Sequence, residues 1–287
     1  MLFAAISSKL IGQSTGNNFD QWDVFTDRVL TGNQVPVFID PKGLDTNTMM
    51  GIAREFDHSE ATFVYPSRIG EAAFRVRIFH PGINKEIPIA GHPIIGTIFA
   101  LANAGKIKPG TTKILLDLDL GPTPVEMDWS KNHLQFAWLD FALPKFQGQL
   151  TDCAAVASAL GLDEKDIRPN LPIQQVDCGG PFIMVPLTDP EAVDRATLEI
   201  PSMGRLVDAA KLTRRGVMVF APSRDPKVDF YTRMFSFSGK EDPGTGTASA
   251  SLGSYLVQYK LVTLDQSSRS QDEASERGPH LSPGDRR

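Results

Sequence analysis

The sequence predicts an α/β (α+β) protein of two similar halves, each a curved β-sheet around a buried central helix. Three observations carry this. Strand-like and helix-like runs alternate along the chain. A strand–turn–helix unit recurs about half a chain apart: "RVRIFHPG" leads to "HPIIGT" from His92, and "TRMFSFSG" leads to "DPGTGT" from Asp242. The helical stretches that follow, "IIGTIFALA" and "ASASLGSYL", are apolar or small almost all round, as suits a helix enclosed by a sheet.

The first half opens with "QWDVFT" (21–26), an alternating strand, and "VPVFI" (35–39), its partner, with "TGN" (31–33) as turn chemistry between them. "TNTMMGIAREF" (46–56) has apolar residues at helical spacing after a polar Asp-Thr-Asn start. "ATFVYP" (61–66) and "AAFRVRIFH" (72–80) read as strands. "PIIGTIFALANAG" (93–105) reads as a helix with proline in its first turn and glycine at its end. Three β-rich runs follow, "TKILLDL", "TPVEMDW" and "HLQFAWL".

Proline, glycine and glutamines interrupt the pattern in "FALPKFQGQLT" (141–151), which marks a domain boundary. The second half then has a helix at 153–162, with Thr151 and Asp152 as cap candidates. It continues with strands at 180–187 and 216–222, a helix between them at 202–212, a strand at 229–237 and a helix at 247–259. Arg77-Ile78-Phe79 matches Arg233-Met234-Phe235, which strengthens the case for duplication. The plainer alternative is two ordinary strand-to-helix turns.

Composition limits the function. With 287 residues and 41% hydrophobic content the chain can bury sizeable cores. A net charge of −5 and no Lys/Arg-rich run in the ordered part argue against nucleic acid as a partner. No apolar run has the roughly 18–20 residues that span a bilayer, and no signal or transit peptide is legible, so the expected address is cytoplasmic. The two cysteines, Cys153 and Cys178, have neither CxxC spacing nor a nearby histidine, and no metal site is expected.

The recurring turns could carry chemistry. A helix start offers unpaired backbone N–H groups and a positive dipole end, and glycine there lets an anion approach the backbone. Gly91-His92 and Gly246-Thr247 are therefore candidate carboxylate or oxyanion cradles. His92 against Asp242 marks a candidate division of labour between the halves, with histidine titrating near neutrality. Glu60, in "DHSEATF" between a helix end and a strand start, is a third candidate. Taken singly, Glu60 reads first as a solvated turn carboxylate, His92 as a capping or core histidine, and Asp242 as an N-cap.

Four blocks, "DVFTDRVLTGNQVPVF", "IAREFDHSEATFVYP", "RVRIFHPGINKEIPIAGHPIIGT" and "GKEDPGTGTASASLGSYL", resemble in order and spacing the motifs of the phenazine-biosynthesis-like (PhzF-like) isomerase family, across about 21–259. The resemblance implies two diaminopimelate-epimerase-like domains, a homodimer, no organic cofactor, no metal and a small carboxylated substrate. It implies Glu60 as acid/base in a cleft between the domains, with His92 and Asp242 helping to move protons, and Gly91, Gly246 and Thr247 binding the substrate. The family more often has serine where Thr247 stands. Related epimerases use one cysteine per domain. Neither Cys153 nor Cys178 falls in a repeat motif, which favours carboxylate chemistry. The alternative function is a catalytically silent binding or scaffold protein that keeps the fold.

The expected organisation is a disordered extension over 1–20, an epimerase-like domain over 21–140, a second over 141–263, and an atypical polar tail over 264–287 that reads as disordered. Where the family continues into a G-R-P-S-type turn and closing strands, this tail shows no alternation. The second domain is therefore expected to lack its last strands.

Overall fold

A computed structural model describes residues 16–26, 28–226 and 228–262, and the backbone of 270–272. The chain divides into two compact units, 1–140 and 141–287.

In the first unit the order is β1 (Asp20–Val24), β2 (Asn33–Ile39), α1 (Thr46–Phe56), β3 (Ala61–Pro66), β4 (Phe74–His80), β5 (Lys85–Ile87), α2 (Gly91–Asn103), β6 (Lys113–Leu118), β7 (Gly121–Ser130) and β8 (His133–Leu139). The strands form one eight-stranded sheet in the order β1-β2-β3-β4-β6-β7-β8, with β5 also on β4. β2–β3 and β4–β6 are parallel and the other pairs antiparallel. Helix α2 touches β1, β2 and β3 toward one edge and β8 at the other. A flat sheet could not do both, so the sheet curls round the helix. Ile94, Ile98, Ala100 and Leu101 of α2 are fully buried against Val35, Val37, Leu116 and Val125. Gly96 permits the closest approach: a Cβ there would stand 2.4 Å from Val35 Cγ1 and 3.0 Å from Val24 Cγ2. Helix α1 covers the other face through Met49, Met50 and Ala53, packed on Phe38, Phe63 and Phe79. Its start is capped by Asp45, whose carboxylate accepts from the Thr48 N–H at 2.7 Å.

The second unit runs β9 (Lys145–Leu150), α3 (Cys153–Ala159), β10 (Ile173–Asp177), β11 (Pro181–Pro186), α4 (Pro190–Arg195), α5 (Ile200–Ala209), β12 (Gly216–Pro222), β13 (Phe230–Ser236), β14 (Glu241–Asp242), α6 (Gly246–Gln258) and β15 (Ser270–Asp272). The sheet order is β14-β13-β12-β11-β10-β9, with β15 on β13. α6 packs Ala248, Leu252, Tyr255 and Leu256 against Val176, Met184, Met218 and Phe220. α3, α4 and α5 contribute Val156, Val193 and Met203 to a second core that includes Ile183, Val185 and Val219.

The duplication is visible strand by strand. β10-β11 repeats β1-β2 as an antiparallel pair, and β11–β12 repeats the parallel pair β2–β3. β12–β13 repeats β3–β4, β14 folds back on β13 as β5 does on β4, and β15 runs parallel to β13 as β6 does to β4.

Several details differ from the sequence expectation. Residues 16–20 are not a disordered extension: Asn17 bonds both ways with the Lys42 backbone, and Phe19 packs on Phe38 and Phe56. Residues 1–15 lie outside the described residues. "KFQGQL", taken as an interruption, is β9, whose half-exposed face let polar residues hide the alternation. Strand β10 and helix α4 were not foreseen, although Asp189 followed by Pro190 is a recognisable helix start. The 153–162 helix stops at Ala159, and Gly161 has φ +68°. Within the tail expected to lack strands, Ser270–Asp272 pairs with Phe230–Thr232; 263–269 and 273–287 lie outside the described residues. No helix among the described residues is long and apolar enough to cross a membrane.

Candidate functional site

Glu60 is placed by the end of α1. Asp57 leaves the helix in the left-handed region with φ 53°, and Glu60 is then the residue just before β3. It is 8% exposed, so the solvated-turn reading of this carboxylate is overturned. His92 is the second residue of α2 and 4% exposed. Its Nε2 stands 3.5 Å from Glu60 Oε2. On the other side of the ring, the amide nitrogen of buried Asn33, at the start of β2, lies 3.3 Å from Nδ1. Burial pushes the His92 imidazole down to about 3, outweighing a backbone hydrogen bond at Gln34 that acts the other way. The ring is therefore neutral at ordinary pH, and the positive charges it would meet, on His58 and His80, reinforce this. Three of the chain's five histidines thus lie within electrostatic reach of His92, counting the ring itself.

Gly91 is the first residue of α2, and the N-cap, Ala90, has no side chain able to occupy the helix start. Pro93 removes one further N–H. The backbone N–H groups of a helix start without a side-chain cap are of the kind that can hold an anionic group. Asp23, on β1, also belongs to this corner: burial raises its carboxyl, opposed by the Leu30 N–H at 2.7 Å and by His58. Thr97, one turn further along α2, donates to the Pro93 carbonyl at 2.7 Å and lies 3.0 Å from the Thr62 hydroxyl.

The second unit holds the other three candidates. Gly246 is the first residue of α6, and Thr247 the second and 5% exposed. The N-cap is Thr245, not Asp242 as one reading of the sequence had it. The Thr245 hydroxyl donates to Asp242 Oδ2 at 2.6 Å, and the Gly244 N–H reaches Oδ1 at 3.4 Å. Asp242 thus ties up the turn before the helix.

This geometry corrects the register of the repeat. In the first unit Ile87 lies opposite Ile78 and Glu86 opposite Phe79; in the second Asp242 lies opposite Met234 and Glu241 opposite Phe235. The counterpart of Asp242 is therefore Ile87, and the counterpart of His92 is Thr247. The structural repeat is "EIPIAGH" with "EDPGTGT", each giving a glutamate on the return strand, a proline after it and a glycine opening the helix. The match of His92 with Asp242 is a coincidence of two nearby H/D-P-x-x-G-T strings. The two glutamates do one job. Arg77 forks onto Glu86 at 2.7 and 2.6 Å, and Arg233 onto Glu241 at 2.7 and 2.8 Å. Each guanidinium lies over the phenylalanine two residues on, at 5.2 and 4.7 Å.

Among the described residues no three His, Cys, Asp or Glu side chains gather as metal ligands would. Cys153 and Cys178 are both free thiols, and neither lies on a helix start of the repeat.

The sequence model of the phenazine biosynthesis-like protein family matches residues 22–282. The chain belongs to this family. The relatives it resembles include an uncharacterized isomerase of Mesorhizobium japonicum, 32% identical over 260 residues that cover 86% of this chain and 82% of that protein. Among solved structures, a PhzF-family phenazine biosynthesis protein of Bacillus anthracis superposes with a TM-score of 0.76 at 26% identity, covering 84% of this chain and 80% of that one. A probable proline racemase of Agrobacterium radiobacter, with bound carbonate, shares the fold at TM-score 0.55 and 14% identity, over 83% and 78% of the two chains. The architecture is thus that of the diaminopimelate-epimerase-like proteins, and the chain is an enzyme of the phenazine biosynthesis-like isomerase family. Sequence reasoning missed Asn33, His58 and His80; Asn33 was legible only as the last residue of a "TGN" turn.

Proposed function

We propose that this protein moves a proton within a small carboxylated substrate, with Glu60 taking it from one carbon and returning it to another of the same π system. The observation that supports this reading is a buried carboxyl 3.5 Å from a neutral buried imidazole, beside a helix start with no side-chain cap. A base that must also act as an acid works best with a pKa near the working pH, and burial moves a carboxyl that way. His92 shares or steers the proton. Gly91 receives a substrate carboxylate or oxyanion on backbone N–H groups. In the second unit Asp242 is assigned a part in moving protons, and Gly246 and Thr247 a part in binding polar groups of a substrate, Thr247 keeping a hydroxyl and adding a methyl that narrows its surroundings. No organic cofactor or metal is needed for such a step, since the carboxyl itself carries the proton.

The test is wash-in of deuterium from D₂O, read by mass spectrometry, over a panel of small unsaturated and cyclohexadienyl carboxylates. The proposal expects incorporation into one member with the wild-type protein, slowed roughly 10²–10⁴-fold in Glu60→Gln. A protein that binds a panel member tightly and exchanges none of its hydrogens is a silent binder.

A further inference from the structure

We propose that Asn33 is a positioning residue: its side-chain amide donates to His92 Nδ1 and so holds the single proton of the neutral ring on Nε2, facing Glu60 Oε2. The inference deepens the roles proposed for Glu60 and His92 and depends on that reading for its catalytic consequence.

An amide nitrogen only donates, so a ring nitrogen 3.3 Å from it serves as acceptor. A neutral imidazole has one N–H; with Nδ1 accepting, the proton sits on Nε2. That N–H then points at a carboxylate oxygen 3.5 Å away, close enough to tighten into a hydrogen bond when a substrate fills the site. The competing arrangement puts the proton on Nδ1, donating to the Gln34 backbone, and turns a bare Nε2 lone pair toward Glu60. Two lone pairs facing each other in a buried site repel unless the carboxyl is protonated. The groups that bear on the ring electrostatically are Glu60, His58 and His80. None of these charged groups contacts Nδ1, so the tautomer is settled between the Asn33 amide, which donates to the ring, and the Gln34 backbone hydrogen bond that competes with it. The consequence is that His92 stabilises the anionic, proton-accepting form of Glu60 without itself being charged. Asn33 is 2% exposed and sits at the first position of β2, whose pairing with β1 fixes it.

The tautomer is measured without any substrate, so this inference and the proposed reaction can fail separately. Protein labelled with ¹⁵N-histidine is examined by long-range ¹H–¹⁵N correlation at neutral pH, with His92 assigned by its absence in His92→Gln. The expected pattern is an unprotonated Nδ1 and a protonated Nε2. Asn33→Asp, which presents a carboxylate that can accept, should interchange the two nitrogen shifts, and Asn33→Leu should give a mixture. A merely structural Asn33 would change melting temperature but leave the tautomer in place. Protonated Nδ1 in the wild-type protein, or an unaltered tautomer in a folded Asn33→Asp, overturns the proposal. If Asn33→Asp does not fold, the wild-type spectrum alone decides.

Discussion

The two units are the same design completed to different extents. In the first, α2 is enclosed by an eight-stranded sheet that continues from β6 into β7 and β8. In the second, the place of β6 is taken by the three residues of β15, and no described strand corresponds to β7 or β8. The helices reflect this. α2 is almost wholly apolar and needs Gly96 to fit under Val35. α6 carries a buried serine, Ser251, at the position equivalent to Gly96, and its hydroxyl has no hydrogen-bond partner among the described residues. The first unit holds the buried acid and the imidazole; the second offers a threonine where the first has His92. Duplication preserved the backbone devices, the arginine–glutamate fork and the glycine at the helix start, while the buried carboxyl beside an imidazole belongs to the first unit.

The largest stability effect that would sharpen this contrast is at Gly96. Gly96→Val forces new atoms into Val35 and should cost about 1–3 kcal/mol or more, read as a shift in the urea midpoint. A neutral result would mean the sheet is looser round α2 than described.

Next in size is the acid limb of stability. The folded state holds His92 at about 3 against an ordinary value of 6.5, so between these pH values the unfolded chain binds a proton that the native state refuses. Stability therefore falls as pH drops below about 6.5, by up to about 1.4 kcal/mol per pH unit from this one group. His92→Thr, which copies the second unit, should flatten that slope in denaturant titrations run from pH 7 to 4. An unchanged slope would assign the acid sensitivity to other groups.

Smaller again is the difference between the two forks. Glu86 bonds Arg77 and also lies 3.9 Å from buried Arg75, whereas Arg233 keeps the carbonyls of Val193, Asp194 and Ala196 when Glu241 is removed. Glu86→Gln should cost about 1.5–3 kcal/mol, and Glu241→Gln about half of that or less. Equal costs would mean the carbonyl contacts contribute nothing. Smallest is Ser251→Ala, which removes a buried hydroxyl with no partner and should be neutral or stabilising by less than about 1 kcal/mol; thermal melting checks it.

Much of this was legible in the sequence because the signals are local. Helix α1 follows from its apolar spacing and Asp45, and both central helices from runs that are apolar or small on every side. Glu60 and His92 stand out from their motifs, but not that they come within 3.5 Å of each other, because that depends on α2 lying beside the start of β3. The register of the repeat was misread for a physical reason. Side-chain identity suggested H-P against D-P, while the equivalence is set by strand pairing, which puts Glu86 with Glu241 and Gly91 with Gly246. β9 is hidden because polar residues on a half-exposed edge strand mask alternation, and β10 because its two buried glutamines, Gln174 and Gln175, read as surface residues. Asn33 looked like turn chemistry because nothing in sequence tells which ring a turn residue will meet.

The account rests on the first unit's carboxyl carrying the proton. Its most direct test is the rate of hydrogen exchange with D₂O in Glu60→Gln beside Asp242→Asn, both with ligand binding verified by calorimetry. Exchange in Glu60→Gln should be slowed roughly 10²–10⁴-fold, and in Asp242→Asn by less. A Glu60→Gln protein that binds its ligand and exchanges at the wild-type rate would contradict it.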